Sequence, residues 1–309
     1  MAGTLLVETT RTLVSSGTER IAFSRNFESQ SHWDRWVQYP FYPGYLHTGT
    51  VIAVGAGVEG FKEGDRIVSR AQHASHHTMT AGECHLIPSD VSDDNAVWTG
   101  LGKIAQAGVR AAGHKLGDRV AVVGLGLLGQ LVVQYARLSG AREVIAIDTV
   151  PVRLRLAHEH GATRTVRAAA AEALAAVKGY TSGWGADVVY EVTGHAAVLA
   201  TLPLVRRFGT LILLGDTGTP SLQALTSDVV TRGVHIVGAH DAHAADVATD
   251  RDPWTSRAME ELFLSYLARQ QIRTADLVTH RFRPEDAAEA YGVLTANSSE
   301  AVGIMFTWK

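Results

Sequence analysis

The 309 residues are 46% hydrophobic and 19% charged, enough apolar material for real cores and far from a disordered composition. A formal charge of −3, from 28 Lys and Arg against 31 Asp and Glu, argues against nucleic acid as a partner, because phosphate binding calls for concentrated cations. Cys84 stands alone, which excludes internal disulfides and any multi-cysteine zinc lobe.

The length suits two domains. No apolar run reaches membrane-spanning length, since stretches such as VAVVGLGLLG are broken by glycine and flanked by charge. The opening MAGTLLVETTRTLV lacks a basic segment followed by a long apolar one, so it does not read as a signal peptide. No membrane association and a cytoplasmic location are the expectations.

Residues 1–90 carry short strand patterns, LLVETT, GTVIAVGAG, DRIVSR and HLIPSD, with turns at KEGD and PSD. That texture predicts an irregular β domain. GLGKIAQAGVRAA then reads as a helix, and from Leu116 strands and helices alternate. VAVVGL is a buried strand, GQLVVQYARLSG a helix closed at Gly140, EVIAID the next strand, and VRLRLAHEHGA a helix closed at Gly161. ADVVYEVTG, TLILLG and HIVGAH follow as strands with helical spacers, after an alanine-rich patch at 168–177. Near-continuous apolar strands are expected where helices cover both faces of a parallel sheet. An amphipathic helix SRAMEELFLSYLARQ, a segment LVTHRF, a helix PEDAAEAYGVL and a strand AVGIMFTW complete the chain, and their texture predicts that they fold back onto the first domain.

Gly124, Gly126 and Gly129 form G-x-G-x-x-G between a strand and a helix, and Asp148 ends the next strand 19 residues beyond Gly129. Gly124 permits the tight turn, Gly126 lets the backbone approach a pyrophosphate, and Gly129 lets helix and strand pack closely. The helix N-terminus offers N–H groups and partial positive charge to the phosphates. Asp148 can accept hydrogen bonds from a ribose 2′-hydroxyl and repels a 2′-phosphate, which favours NAD, whereas Arg153 nearby could serve the adenosine end.

At these residues the chain resembles the medium-chain dehydrogenase/reductase superfamily, the group of the zinc alcohol dehydrogenases. The resemblance is carried by GTER at 17–20, PGY at 43–45, GTVIAVGAGV and FKEGDRI within 49–67, KLGDRVAVVGLGLLG at 115–129, EVTG at 191–194 and LILLG at 211–215. It implies a GroES-like catalytic domain from residues 1–97 and 241–309, a Rossmann NAD-binding domain from 98–240, and an active site in the cleft between them. It also implies that Leu127, Leu128, Thr193, Leu214 and Gly215 line the cofactor's path. GTER is expected as a strand, and the usual opening strands before it are missing, so part of the small barrel is expected to be absent or rebuilt.

Zinc members carry cysteine where this chain has Ser16, Gly-His-Glu where it has Gly44, Tyr45 and Leu46, and a third ligand near Thr99. None of these is a usual zinc donor, so the expectation is no metal. Pairing of GTER with PGY resembles the zinc-less branch that includes bacteriochlorophyllide a dehydrogenase. His73, His76, His77, Cys84 and His85 are dense, but strand alternation predicts opposite faces for Cys84 and His85, and the histidines read as surface or packing residues. His240, Asp241, His243 and Asp246 read equally as a polar loop.

The reading is a zinc-independent, NAD-dependent oxidoreductase that interconverts a secondary alcohol and a ketone, with a small sugar or polyol as candidate substrate. Tyr45, His47, Thr18 and Lys103 are the candidate catalytic residues, with Lys103 placed near the nicotinamide by the family's register. A tyrosine titrates near ~10 and needs a cation such as Lys103 to act as a base, whereas an isolated histidine titrates near ~6.5. Two alternatives are an NADPH-dependent enone or quinone reductase and a dinucleotide-binding sensor or structural subunit without catalysis. A homodimer or homotetramer built through the HIVGA strand edge is expected.

Overall fold

The structure is a computed structural model and describes residues 2–245, 247–296 and 301–308, without the side chains of 196–198. In chain order it runs β1 (Thr4–Val14), α1 (Ser16–Ser24), α2 (His32–Trp36), β2 (His47–Val54), β3 (Arg66–Ser69), β4 (His76–Thr80), β5 (His85–Leu86), α3 (Asp93–Ala96) and α4 (Thr99–Ala112). It continues through β6 (Arg119–Val123), α5 (Leu127–Leu138), β7 (Glu143–Asp148), α6 (Pro151–Glu159), β8 (Arg164–Arg167), α7 (Leu174–Tyr180) and β9 (Ala186–Glu191). The last elements are β10 (Val205–Leu213), α8 (Asp228–Arg232), β11 (His235–Gly238), α9 (Ser256–Ala268), β12 (Val278–Phe282), α10 (Ala287–Thr295) and β13 (Gly303–Thr307). Two compact units result: Met1–Arg20 with Tyr39–Lys103 and Ala245–Lys309, and Ile21–Gln38 with Ile104–Ala244. Among the described residues no helix is long and apolar enough to cross a membrane.

The first unit is a GroES-like β domain whose sheet runs β12-β13-β1-β2-β3-β5, with β4 also on β1. β1 is its hinge of assembly, antiparallel to β2, β4 and β13 at once. Alternation sends Leu5 and Val7 inward, where they pack with Val51, Ile67, Met79 and Cys84. Pairing of β13 with β1 brings the C-terminal stretch home, and Val14, Ile304 and Phe306 meet Tyr291 and Leu294 of α10.

Local chemistry departs from the sequence pattern in places. GTER is helical, because the Glu19 amide closes a turn on the Ser15 carbonyl (2.8 Å) while the Glu19 carboxylate accepts the Ser15 N–H (2.8 Å). Only His85 and Leu86 of HLIPSD pair as a strand. Cys84 and His85 are both buried, Cys84 in the core with Leu5 and Val7 and His85 with its Nε2 2.7 Å from Glu260 of α9, so His85 is a packing residue.

In the second unit all strand pairs are parallel, in the order β11-β10-β9-β6-β7-β8. Chain order reverses at β6, which makes its carboxyl end the switch point of a doubly wound sheet. Val120 to Val123 are almost wholly buried, as a strand covered on both faces requires. Ile21–Gln38 joins this unit because the Glu28 amide donates to the Gly218 carbonyl (2.9 Å) and the Glu28 carboxylate receives the Ser221 amide (3.2 Å). Contacts across so many residues leave no local trace in sequence.

His47 opens β2 with no solvent exposure, its Nε2 3.2 Å from Thr9 Oγ1 and its Nδ1 2.8 Å from Ser69 Oγ. Burial, with His77 adding to it, pushes its pKa down to about 3, so the near-neutral titration expected of an isolated histidine does not hold. An unfolded histidine takes up a proton below ~6.5 while the folded one stays neutral, so acidification through that window favours unfolding. Stability should therefore fall by up to ~1.4 kcal/mol per pH unit from this residue below about pH 6.5. Urea midpoints measured across that range should show the slope, and His47→Gln should flatten it.

Candidate active site

The dinucleotide cradle forms where β6 gives way to α5. Gly124 has φ +90°, and a Cβ there would lie 2.7 Å from Thr193 Cγ2. At Gly129 a Cβ would lie 2.0 Å from the Gly124 carbonyl oxygen, so only glycine lets the helix seat on the turn. A Cβ at Gly126 would meet nothing within 4 Å, which leaves open space over the N-terminus of α5, a twelve-residue helix without a side-chain cap. Leu127 and Leu128 begin that helix, with Leu127 buried and Leu128 partly so. This is the geometry that receives a pyrophosphate.

Asp148 ends β7 nearly buried, accepting the Leu125 amide (2.7 Å) and the Val150 amide (2.8 Å), with Arg153 Nη1 3.9 Å away. Its carboxylate thus braces the glycine turn from below, and lone pairs remain for a ribose hydroxyl. Across the switch point, Glu191 carries the opposite wall. Its backbone carbonyl accepts the Leu214 (3.0 Å) and Gly215 (3.1 Å) amides, and its carboxylate accepts from the Thr193 amide (2.7 Å), the Thr193 hydroxyl and the Gly194 amide (3.3 Å). Burial raises its pKa to about 7 against those hydrogen bonds. Sequence reasoning missed Glu191, although an acid closing the apolar run ADVVYE is itself a signal.

The first unit gathers a different set. Tyr45 Oη lies 2.7 Å from Ser15 Oγ, and the Arg70 guanidinium sits 4.9 Å from the centre of its ring. Burial raises the Tyr45 pKa, while the Ser15 hydroxyl, Arg70 and the Thr18 hydroxyl pull it back and Glu19 adds to the rise. Behind them Glu19, nearly without exposure, takes the Ser15 amide, the Tyr291 hydroxyl and His73 Nε2 (3.1 Å). Tyr45 also lines a concavity with Gly44, Arg70, Gln72 and His77.

Of the sequence candidates, Tyr45 and Thr18 therefore come together. His47 belongs to the β2 core. Lys103 is buried among Ser256 Oγ (3.3 Å) and Glu260 Oε1 (3.9 Å), so the cation over Tyr45 is Arg70, where Lys103 was expected. Ser15 and Arg70 were missed, since nothing in the local pattern marks a serine at a strand end or an arginine after β3.

The positions where zinc members hold their metal do not fit one here. Leu46 packs so tightly that a Cβ on Gly100 would lie 2.6 Å from its Cδ2, Thr99 Oγ1 donates to the Ala96 carbonyl (2.7 Å), and the Tyr45 hydroxyl is engaged by Ser15. Among the described residues no group of three or more His, Cys, Asp or Glu could hold a metal ion. His240 contacts Asp241 (3.2 Å) and the Ala242 amide (3.1 Å) within its own loop, and Asp246 lies outside the described residues.

Residues 21–95 match the alcohol dehydrogenase GroES-like domain and residues 128–250 the zinc-binding dehydrogenase domain. An L-threonine 3-dehydrogenase of Bacillus subtilis is 28% identical over 300 residues, covering 85% of this chain and 82% of its own. A sorbitol dehydrogenase of Halalkalibacterium halodurans is 25% identical over 304 residues, covering 88% and 84%. The solved structure of a zinc-binding dehydrogenase from Sinorhizobium meliloti, bound to NADP, shares the fold with a TM-score of 0.80 at 22% identity, over 99% of this chain and 92% of that one. The chain belongs to the zinc-type, medium-chain alcohol dehydrogenase-like superfamily, with a GroES-like domain and a Rossmann-like dinucleotide-binding domain.

Proposed function

We propose that the protein is a zinc-independent, NAD-dependent oxidoreductase that interconverts a secondary alcohol and a ketone on a small polyhydroxylated substrate. The observation that carries this reading is the hydroxyl cluster of Tyr45, Ser15 and Thr18 beside the Arg70 cation, with Tyr45 at the position where zinc members carry a ligand histidine. The relatives act on secondary alcohols by name, threonine at its 3-position and sorbitol, which supports the reaction class. NAD, when bound, takes or returns the hydride. The chain's own residues handle the proton and the oxygen. Tyr45 Oη accepts the alcohol proton in oxidation through its ionised form, which burial disfavours and Arg70, Ser15 and Thr18 favour, and returns it to the ketone oxygen in reduction. Ser15 Oγ, 2.7 Å from Tyr45 Oη, would donate to the ionised form and so favour it, while Thr18 adds a second hydroxyl.

Asp148 favours NAD, because a 2′-phosphate would sit against its carboxylate. Arg153 at 3.9 Å and the NADP of the Sinorhizobium neighbour favour a second reading, an NADPH-linked enone or quinone reductase. Assembly into a homodimer or homotetramer belongs to the same proposal, supported by β11 standing at the sheet edge with His235 and Gly238 exposed.

Tyr45→Phe should lower kcat by about a hundredfold or more while leaving the NADH dissociation constant unchanged, and a chelator should not affect the wild type. Arg70→Gln should move the ascending, low-pH limb of the pH–rate profile for alcohol oxidation to higher pH, because it removes a cation that favours tyrosinate. Loss of activity on chelation, restored by zinc, would sink the metal-free mechanism. With polyols, kcat/KM should favour NAD over NADP, and Asp148→Asn should shift that ratio toward NADP by about tenfold, the equivalent of ~1.4 kcal/mol. Strong NADPH-linked turnover of an enone by the wild type would select the second reading instead.

A further inference from the structure

The second unit carries an aromatic face that the proton and cofactor chemistry leaves unused. Ser31 caps α2 by accepting the Asp34 amide (3.2 Å), and Asp34 in turn accepts the Gln30 amide (2.8 Å). One turn of helix places Trp33 inward, 5% exposed, and leaves Trp36 48% exposed. Trp33 supports Trp36 edge-on, with centroids 5.6 Å apart at 62°. His32 lies almost parallel to Trp36, at 6.4 Å and 5°, which helical i,i+4 spacing allows. At the rim, His32 Nδ1 lies 3.1 Å from Asp216 Oδ2, and the two side chains are 59% and 50% exposed.

This face is fastened to the dinucleotide crevice by backbone contact. A Cβ on Gly218 would lie 2.1 Å from the Asn26 carbonyl oxygen, and the Glu28 amide donates to the Gly218 carbonyl. A Cβ on Gly194 would lie 2.5 Å from the Asp216 carbonyl oxygen, and one on Gly215 only 2.4 Å from the Gly194 amide nitrogen. Thr193 meets Gly124 on the other side. An unbroken run of close approaches therefore links the phosphate turn to the aromatic face, at the carboxyl ends of β6, β9 and β10, where ligands of such sheets bind.

We propose that Trp36 and His32, with the Asp216 carboxylate at their rim, form a stacking subsite that selects a sugar substrate in its closed pyranose form. The proposal rests on the dehydrogenase reading for its place in the reaction. A pyranose presents a flat apolar C–H face and an equatorial ring of hydroxyls. The aromatic rings offer apolar area at little cost in conformational entropy, and a carboxylate can accept two adjacent hydroxyls. The contact from His32 holds that carboxylate in place. An open-chain polyol has the hydroxyls without the flat face, so stacking separates the two.

The test is a binding titration of methyl β-D-glucopyranoside and of sorbitol to the NADH-loaded protein, read by calorimetry, beside oxidation assays with both. In Trp36→Ala the glucopyranoside dissociation constant should rise by about tenfold, while sorbitol and NADH binding stay unchanged. Trp36→Phe, which keeps a ring, should restore most of the loss, and Asp216→Asn should weaken the glucopyranoside alone. Equal losses for both ligands, or none for the glucopyranoside, would overturn the subsite. Trp36-dependent binding of the glucopyranoside without turnover of any alcohol supports the subsite and removes the dehydrogenase reading. Turnover of open-chain alcohols without such binding does the reverse.

Discussion

Glu191 ties together the carboxyl ends of β9 and β10 from a position 1% exposed. Its backbone carbonyl takes the amides of Leu214 and Gly215, and its side chain takes those of Thr193 and Gly194. A buried carboxylate is costly unless donors surround it, and here the donors are the Thr193 amide and hydroxyl and the Gly194 amide, in the loop that follows β9. The opposite wall uses the same device, Asp148 accepting the Leu125 and Val150 amides beneath the glycine turn. Two acids thus shape an uncapped helix N-terminus into an anion cradle, each by satisfying backbone that no strand pairs with.

The GroES-like unit solves a related problem with Glu19. Three donors converge on its carboxylate, from Ser15, His73 and Tyr291, and they tie the end of β1 to α1 and α10. Ser15 and Thr18 are thereby presented to Tyr45 on one helical turn. Leu46 fills the adjoining space with hydrocarbon, so the same exchange that removes a ligand also closes its cavity. His47, one residue on, is drawn into the core by the pleat and becomes a neutral hydrogen-bonding post between β1 and β3.

The glycine turn, the apolar strands from Leu116 onward and the acid ending the second of them were legible in the chain, because each is a short-range pattern with a period of its own. The substitutions at Ser16, Tyr45, Leu46 and Thr99 were legible too, since the absence of a donor atom needs no coordinates. Less visible was the partner of each polar group. Arg70 reaches Tyr45 across 25 residues and Glu28 reaches Ser221 across 193, so neither leaves a spacing to read. GTER became a helix because one carboxylate found a local amide, a choice that strand propensity does not encode.

Composition, period and glycine placement by themselves determined the doubly wound architecture, the dinucleotide turn and the absence of the usual zinc donors, because covalent order and local sterics decide those. Tertiary structure alone decided which hydroxyls meet Tyr45, which cation overlies it, and that α2 docks beside Asp216. Those pairings depend on distant backbone brought within hydrogen-bonding reach, where burial and satisfied donors outweigh any preference of the residue itself.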